Sequence, residues 1–284
     1  MPEPLNKILD KLVCISCASG RLSCPVPETL LCGSCQATFR VVNGIPCFVA
    51  EELVSFSEVN ETERQHFIDA KQVAYFSRSL ISRLYNSYHQ YAASRRTLLP
   101  AALTLDIGFG IGEHYPFVSA REKAEASFIG LDIDRFKLEY FSALHPELPV
   151  VQASALQIPF RDESFDVIQL LATLEHFDAA TAAAVLGEAM RVLKPGGHVL
   201  ACYPAEGSLL LRTGQLIMHG WLRMKTGFDL EHEEVHHHVL SARDIQSLLL
   251  SVPGLERCES INYPMNVNNI QLSLFLNEMY RKDQ

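Results

Sequence analysis

The sequence predicts an α/β protein built on a mostly parallel sheet, preceded by a small metal-stapled unit. Three observations carry this. An apolar run, Leu103-Thr-Leu-Asp-Ile107, breaks into glycine at every second position, at Gly108, Gly110 and Gly112. From there on, short apolar runs alternate with stretches of helical periodicity, which implies parallel strands joined by right-handed crossovers. Ahead of both stand two C-x-x-C pairs, Cys14/Cys17 and Cys32/Cys35.

Leu103, Leu105 and Ile107 read as a buried strand. The glycines after it carry no Cβ, so a ligand can lie against bare backbone. A helix is expected just beyond, its free N–H groups pointing at the same place. By itself G-x-G-x-G fits either a ligand loop or a plain tight turn. Its spacing departs from the dinucleotide fingerprint, which has two residues between its second and third glycines. Asp106 narrows the choice: a carboxylate here repels a pyrophosphate and suits a cation, or hydroxyl and amino donors.

The chain has 284 residues, a hydrophobic fraction of 48% and a net charge of −9. That is ample material for a core and disfavours general nucleic-acid affinity. Met1-Pro-Glu-Pro is not the opening of a secretory leader, and no run of 18 apolar residues occurs, so a cytoplasmic location is expected. Four of the eight cysteines sit in the two tight pairs, a pattern that points to metal before disulfides.

Residues 1–50 are expected to form a zinc-ribbon-like unit. Thiolates of Cys14, Cys17, Cys32 and Cys35 can close a tetrahedral structural zinc site, with Gly20 and Gly33 allowing sharp backbone beside the sulfurs. Metal binding would then help fold a segment too short to build its own core. Cys24 and Cys47 are not needed as ligands. Residues 51–97 read as an acidic linker and a helical cap. Tyr75, Phe76, Leu80, Ile81, Leu84, Tyr85 and Tyr88 recur there at helical spacing, either as a face packed on the core or as a lid. Residues 98–284 form the main domain.

Within it, the strand Phe128–Asp134 ends in acid. Asp132 lies about twenty residues past the last glycine, where an acid can accept both ribose hydroxyls. A helix N-cap is the other reading, and Asp134 fits a cap better. Further strands are expected at 150–153, 165–171 and 198–203. A helix is expected from Asp178 to Leu193, ended by Lys194-Pro-Gly-Gly197. The glycine loop, Asp132, Ser154–Leu156 and Ala172–His176 all follow strands at the same sheet edge, where a ligand belongs.

These residues resemble a class I S-adenosylmethionine (SAM) dependent methyltransferase of the type 11-like kind. The resemblance rests on Leu105-Asp-Ile-Gly-Phe-Gly-Ile-Gly112, Gly130-Leu-Asp-Ile133, Ile158–Val167, Leu174-Glu-His-Phe177 and Arg191-Val-Leu-Lys-Pro-Gly-Gly197. It implies a Rossmann-like seven-stranded, mostly parallel sheet flanked by helices, its antiparallel last strand completed by segments 255–261 and 270–277. It also implies that Asp106 and the loop Gly108–Gly110–Gly112 face the methionine part of SAM, that Asp132 binds ribose, and that Ile133 and Leu156 sandwich the adenine. Ser154-Ala155 stands where many members carry Asp-Ala, leaving Ser154 as an uncharged acceptor. Phe109 stands where a small residue or Cys is common. Leu12–Val49 in turn resembles the zinc ribbons that accompany some methyltransferases, including its Asn43-Gly44 hairpin signal.

Methyl transfer from a sulfonium is an in-line displacement, so alignment alone is worth roughly 7–11 kcal/mol. A base helps only a weak nucleophile. His176 is the candidate base; the competing reading is that Glu175-His176 structurally starts the next helix. Residues 204–240 form a substrate-side insertion. Its apolar members Leu209–Leu211, Leu216–Met218, Trp221, Leu222 and Met224 are expected in the core or in a pocket wall. Clustered histidines such as His232 and His236–His238 can bind metal, but neighbouring residues of an extended chain point to opposite faces and seldom share an ion, so a histidine reaching the acceptor is preferred to a metal site; the sequence leaves open whether the cluster touches substrate at all. Ser241–Asp244 is a capping-box variant that opens a helix.

Three functions remain in play: a methyltransferase for a small, partly apolar acceptor; an RNA methyltransferase reading its substrate through the ribbon; and a SAM-binding scaffold whose ribbon recruits a protein partner. Lys7, Lys11, Arg21 and Arg40, offset by Glu3, Asp10 and Glu28, are few for phosphate contacts. The intact Asp106, glycine loop and Asp132 disfavour a mere scaffold. The first reading is preferred.

Overall fold

The computed structural model describes residues 3–18, 20–26, 28–49, 68–69, 83, 86–99, 102–226, 238–266 and 269–284, with the backbone alone at 218, 219, 222, 225 and 226. The expectations for Tyr75–Tyr85 and for His232, His236 and His237 lie outside the described residues.

The strand after the sequence's first apolar run, β5 (Thr104–Ile107), is buried along its whole length. So is β6 (Phe128–Asp132). Parallel strands covered on both faces are continuously apolar in this way. Around them lie β7 (Val150–Gln152), β8 (Phe165–Leu171) and β9 (Leu193–Pro204). β7, β6, β5, β8 and β9 pair in that spatial order, all parallel. β11 (Ser273–Lys282) then runs antiparallel between β9 and β10 (Leu255–Pro264). These strands make the expected α/β Rossmann-like arrangement with an antiparallel penultimate edge.

The sheet does not stop at β7. The first 50 residues contribute β1 (Leu22–Val26), β2 (Thr29–Cys32), β3 (Thr38–Val42) and β4 (Ile45–Cys47) as an antiparallel meander. β4 joins β7 in parallel at Cys47 and Gln152, and Phe48 N donates to Gln152 O over 2.8 Å. One eleven-stranded sheet results among the described residues. Leu5 and Ile8 of the first helix, with Leu12, Leu22, Leu30 and Val41, pack in the same apolar core as Leu105, Ile129 and Val151.

The helices follow local chemistry. Asp134 caps Arg135–Leu144 by accepting from Phe136 N and Lys137 N. Asp178 caps Ala179–Val192, whose buried Ala182, Val185, Leu186, Ala189 and Val192 form one apolar stripe. Ser241 and Asp244 close a full capping box on Ala242–Ser251.

Four expectations are corrected. No long helix follows the glycine loop: a three-residue 3₁₀ turn, Tyr115–Phe117, stands there. Val118 turns to extended backbone, and Ser119 caps a separate helix, Ala120–Glu125. Secondly, the helix runs as expected between its caps Asp178 and Leu193, but Lys194–Gly197 are not a reversal after it: the strand expected from His198 already starts at Leu193, and the Lys282 ammonium takes up the carbonyls of Met190 and Leu193. Thirdly, Ile270–Leu272 is a 3₁₀ turn, so the last strand starts at Ser273. Lastly, the helix Leu209–Thr226, which packs on β11 and on the Ile270–Leu272 turn, buries Leu211 but exposes Leu209, Leu216, Ile217 and Met224. Among the described residues no helix is long and apolar enough to cross a membrane.

Candidate functional site

The carboxyl ends of β5, β6, β7 and β8 carry the site. Gly108 N and Phe109 N both donate to Leu131 O, at 2.9 and 3.0 Å, which pins the loop to β6. Gly108, Gly110 and Gly112 all have left-handed backbone, with φ of 81°, 63° and 83°. A Cβ at Gly108 would lie 2.7 Å from the Thr173 side chain, and one at Gly112 would lie 2.2 Å from the Phe141 ring. The glycines are therefore required by sterics on the protein side as well as by any ligand.

Asp132 is held at the end of β6. Its Oδ2 accepts from Gly110 N at 2.7 Å and its Oδ1 from Asp134 N at 2.9 Å. A carboxylate has about four acceptor sites, so two remain for hydroxyl donors. Ile133, next to it, is 46% exposed, and Leu156, after β7, is 47% exposed. Ser154 Oγ accepts from Leu156 N at 3.2 Å and Ala155 is half-buried beside it. Two large apolar side chains thus stand open at the same edge as the glycine loop and Asp132.

Segment 157–161, which follows Leu156, is clamped from two sides. Arg191 donates to Ile158 O and Phe160 O at 2.8 Å each. From the other side Val13 N donates to Pro159 O and Arg161 N to Lys11 O. The N-terminal unit therefore braces the loop that carries Ser154–Leu156.

Phe109 does not fill ligand space. Its ring is buried against Phe141, edge to face at 4.7 Å. It lies over Gly130, where a Cβ would come within 2.6 Å of it.

Asp106 lies beneath the loop, 2% exposed. It is paired across the sheet with Gln169. Burial pushes its carboxyl up to about 8, against the opposing pull of the Arg96 guanidinium and the Gln169 amide. Arg96, itself buried, donates to Glu122, to Gln169 Oε1 at 2.7 Å and to Phe117 O, and lies against His114. Burial and Arg96 hold the His114 imidazole well below its ordinary range. Sequence reasoning missed Arg96, Gln169 and His114. A glutamine inside the apolar run Ile168–Leu170 was the available signal.

On the acceptor side, β8 leads into a separate 3₁₀ turn, Leu174–His176. The next helix begins only at Ala179, so Glu175-His176 does not start it. Thr173 Oγ1 donates to Ile107 O at 3.0 Å, tying this turn to the glycine loop. His176 is exposed, with its ring 5.3 Å from that of His238. Glu175 is 1% exposed, and among the described residues neither carboxylate oxygen has a hydrogen-bond partner. Burial pushes its carboxyl up to about 7, opposed by His238. His238 Nδ1 hydrogen-bonds Glu206 Oε1, and the charges of Glu206 and Glu175 outweigh burial to raise the imidazole.

The four N-terminal cysteines converge. Their sulfurs all lie within 4.8 Å of one another, with Cys14–Cys35 at 3.6 Å and Cys17–Cys32 at 3.7 Å. Tetrahedral zinc with Zn–S near 2.3 Å needs sulfurs about 3.8 Å apart. Ser34 N and Cys35 N point at Cys32 Sγ at 3.4 and 3.5 Å. That of Cys35 above all lowers the thiol's pKa. A Cβ at Gly20 would lie 2.0 Å from Cys32 Sγ. The donor set fits the metal. A cavity of about 630 Å³ lined by Arg243, Gln246, Arg257 and Asn262 lies elsewhere, at β10, and none of the residues above lines it.

The strand order and the glycine loop define the Rossmann-like methyltransferase fold. Residues 105–201 match the family described as a methyltransferase domain. Among solved structures, the PH0226 protein from Pyrococcus horikoshii OT3 shares the fold at a TM-score of 0.55, with 15% identity over 76% of this chain and 98% of that one. Among curated proteins, a phthiotriol/phenolphthiotriol dimycocerosates methyltransferase from Mycobacterium ulcerans is 33% identical over 40% of this chain and 41% of its own length. A ubiquinone/menaquinone biosynthesis C-methyltransferase from Bartonella bacilliformis is 29% identical over 53% of this chain and 62% of its own. The chain thus spans less than two thirds of either relative.

Proposed function

We propose that the protein is a SAM-dependent methyltransferase acting on a small, partly apolar acceptor, braced by a structural zinc. The observation that carries this reading is the Asp132 carboxylate. It is fixed at the end of β6 by Gly110 N and Asp134 N with acceptor capacity to spare beside a glycine-lined loop. Asp132 binds the ribose hydroxyls, the exposed Ile133 and Leu156 cover the adenine, and Ser154 and Ala155 line its edge. Gly108, Gly110 and Gly112 leave room for the methionine part. Asp106, buried beneath the loop near Arg96 and Gln169, supports the loop from below.

Bound there, SAM supplies an electrophilic methyl on a sulfonium. The chain's task is to align an acceptor with that methyl and keep water out. His176, exposed at the end of β8, is the base for an acceptor that must lose a proton. The names of the relatives, which point to lipid and quinone acceptors, favour an apolar substrate. Cys14, Cys17, Cys32 and Cys35 hold zinc with every position filled by sulfur, so the metal supplies fold stability alone.

Calorimetric titration with SAM tests this reading, with Asp132→Ala alongside. Saturable binding is expected for the wild type. Loss of a charged hydrogen-bond acceptor worth about 1.5–3 kcal/mol should weaken it about 10- to 100-fold in the variant. A folded wild type that binds no SAM would sink the reading.

A further inference from the structure

We propose that Glu175, His176 and His238 form a second metal site, for a divalent transition-metal ion, beside the cofactor loop. One ligand atom from each of the three lies within 4.8 Å of the other two. Two imidazoles and one carboxylate are a donor set that holds such ions while leaving coordination positions open.

Glu175 is the observation that points to a ligand. Its carboxylate is buried and both oxygens lack a hydrogen-bond partner among the described residues. A buried charge without a partner is strongly unfavourable, and a cation between Glu175 and the two histidines would answer it.

His238 is prepared for the same role. Its Nδ1 is engaged by Glu206. An Nδ1–H donated to a carboxylate fixes the tautomer whose Nε2 lone pair binds metal. The segment is anchored at the right height, since Val239 N donates to Glu175 O at 2.7 Å. His176, exposed, closes the set from the solvent side; as a ligand it no longer serves as the base, and the cation takes over activation of the acceptor. The site is built from distant parts of the chain. The objection to neighbouring histidines sharing an ion does not apply to it.

The placement gives the ion a task, which rests on the methyltransferase reading above. Thr173 lies over Gly108 and bonds Ile107 O, so the metal would stand a short turn away from the cofactor loop. A hydroxyl or enol oxygen of the acceptor would take an open position, and the cation would lower its proton affinity. The O–H bond then breaks and its proton leaves to solvent. The oxygen's electron pair forms the bond to the methyl carbon, and the pair of the breaking carbon–sulfur bond stays on sulfur.

Manganese(II) is the probe, because a hard ion avoids the thiolate cluster. The full chain is titrated with Mn²⁺ and the free ion followed by its paramagnetic resonance signal. One Mn²⁺ per chain is expected, weakened at least tenfold in His176→Ala, an exposed position whose change spares the fold. Glu175→Gln should behave alike. Zinc content should fall by one equivalent from wild type to His176→Ala, with the cysteine-bound zinc retained. A wild type that holds no Mn²⁺ and has the same zinc content as His176→Ala would overturn the site. SAM titration of the same samples separates the two readings. Metal bound without SAM upholds the site and removes the methyl-transfer role; SAM bound without metal overturns the site and leaves the cofactor reading standing.

Discussion

The cysteine cluster and the glycine loop solve the same local problem in two ways. Each brings backbone so close to a neighbour that only glycine fits: Gly20 against Cys32 Sγ, Gly112 against the Phe141 ring. At the cysteines the neighbours are four soft donors that face one another and close the site. At the loop the neighbours are a buried aromatic floor below and open backbone above. The first arrangement turns its donors inward on one another. The second leaves Ile133 and Leu156 exposed beside the buried Asp132, and on the reading proposed above it serves binding where the first serves stability. The two meet at segment 157–161, which Lys11 and Val13 hold from the cysteine side.

The largest effect should come from Gly20→Ala. The new methyl collides with a buried sulfur, so the chain should lose its zinc and melt about 10 °C lower, the shift expected for several kcal/mol in a chain of this size. SAM affinity should fall as well, because the brace on the loop after β7 loosens. Metal content, calorimetric melting and SAM titration on one preparation read all three. Retained zinc with an unchanged melting temperature would break the picture of a closed sulfur site.

A smaller effect sharpens the contrast inside the loop. At Gly112 a methyl meets the buried Phe141 ring, while at Gly110 it meets only the flexible carboxylate of Glu113. Gly112→Ala should therefore cost about 1–3 kcal/mol of stability through overpacking. Gly110→Ala should cost about 1–2 kcal/mol, from left-handed backbone alone. Both should weaken SAM binding at least tenfold. Urea unfolding that ranks the two in reverse would argue that the floor, not the loop, yields.

A pH dependence completes the comparison. Asp106 is raised from 3.8 to about 8 by burial, with Arg96 and Gln169 opposing and Glu113 and Asp132 adding to the rise. The folded chain then binds a proton that the unfolded chain has released. Asp106's share of stability is complete below about pH 4 and is lost as pH rises towards 8. Asp106→Asn should flatten the fall in unfolding free energy across that window. An unchanged slope would place its origin in another group, Glu175 first.

Much of this was legible in the sequence because the information is local. The C-x-x-C pairs, the alternate glycines, and the caps at Asp134, Asp178 and Ser241 each encode their structure within a few residues. So does the acid at the end of β6. Ser119 was an equally local signal: as the cap of Ala120–Glu125 it closes off the short 3₁₀ turn after the loop. The unusual Phe109 was legible as a departure but not as a solution: only the packing shows that its ring points down over Gly130 and leaves the loop free.

By itself, then, the sequence determined the α/β order of strands, the four cysteines that converge and the loop, since turn chemistry, hydrophobic period and C-x-x-C spacing act over short distances. The tertiary structure alone decided that β4 extends the sheet through Gln152, that Arg96 and Gln169 bury with Asp106, and that His238 comes to Glu175 and His176. Those partners lie far apart along the chain. Which of many distant groups meet is set by the packing of the whole core, and no spacing in the sequence records it.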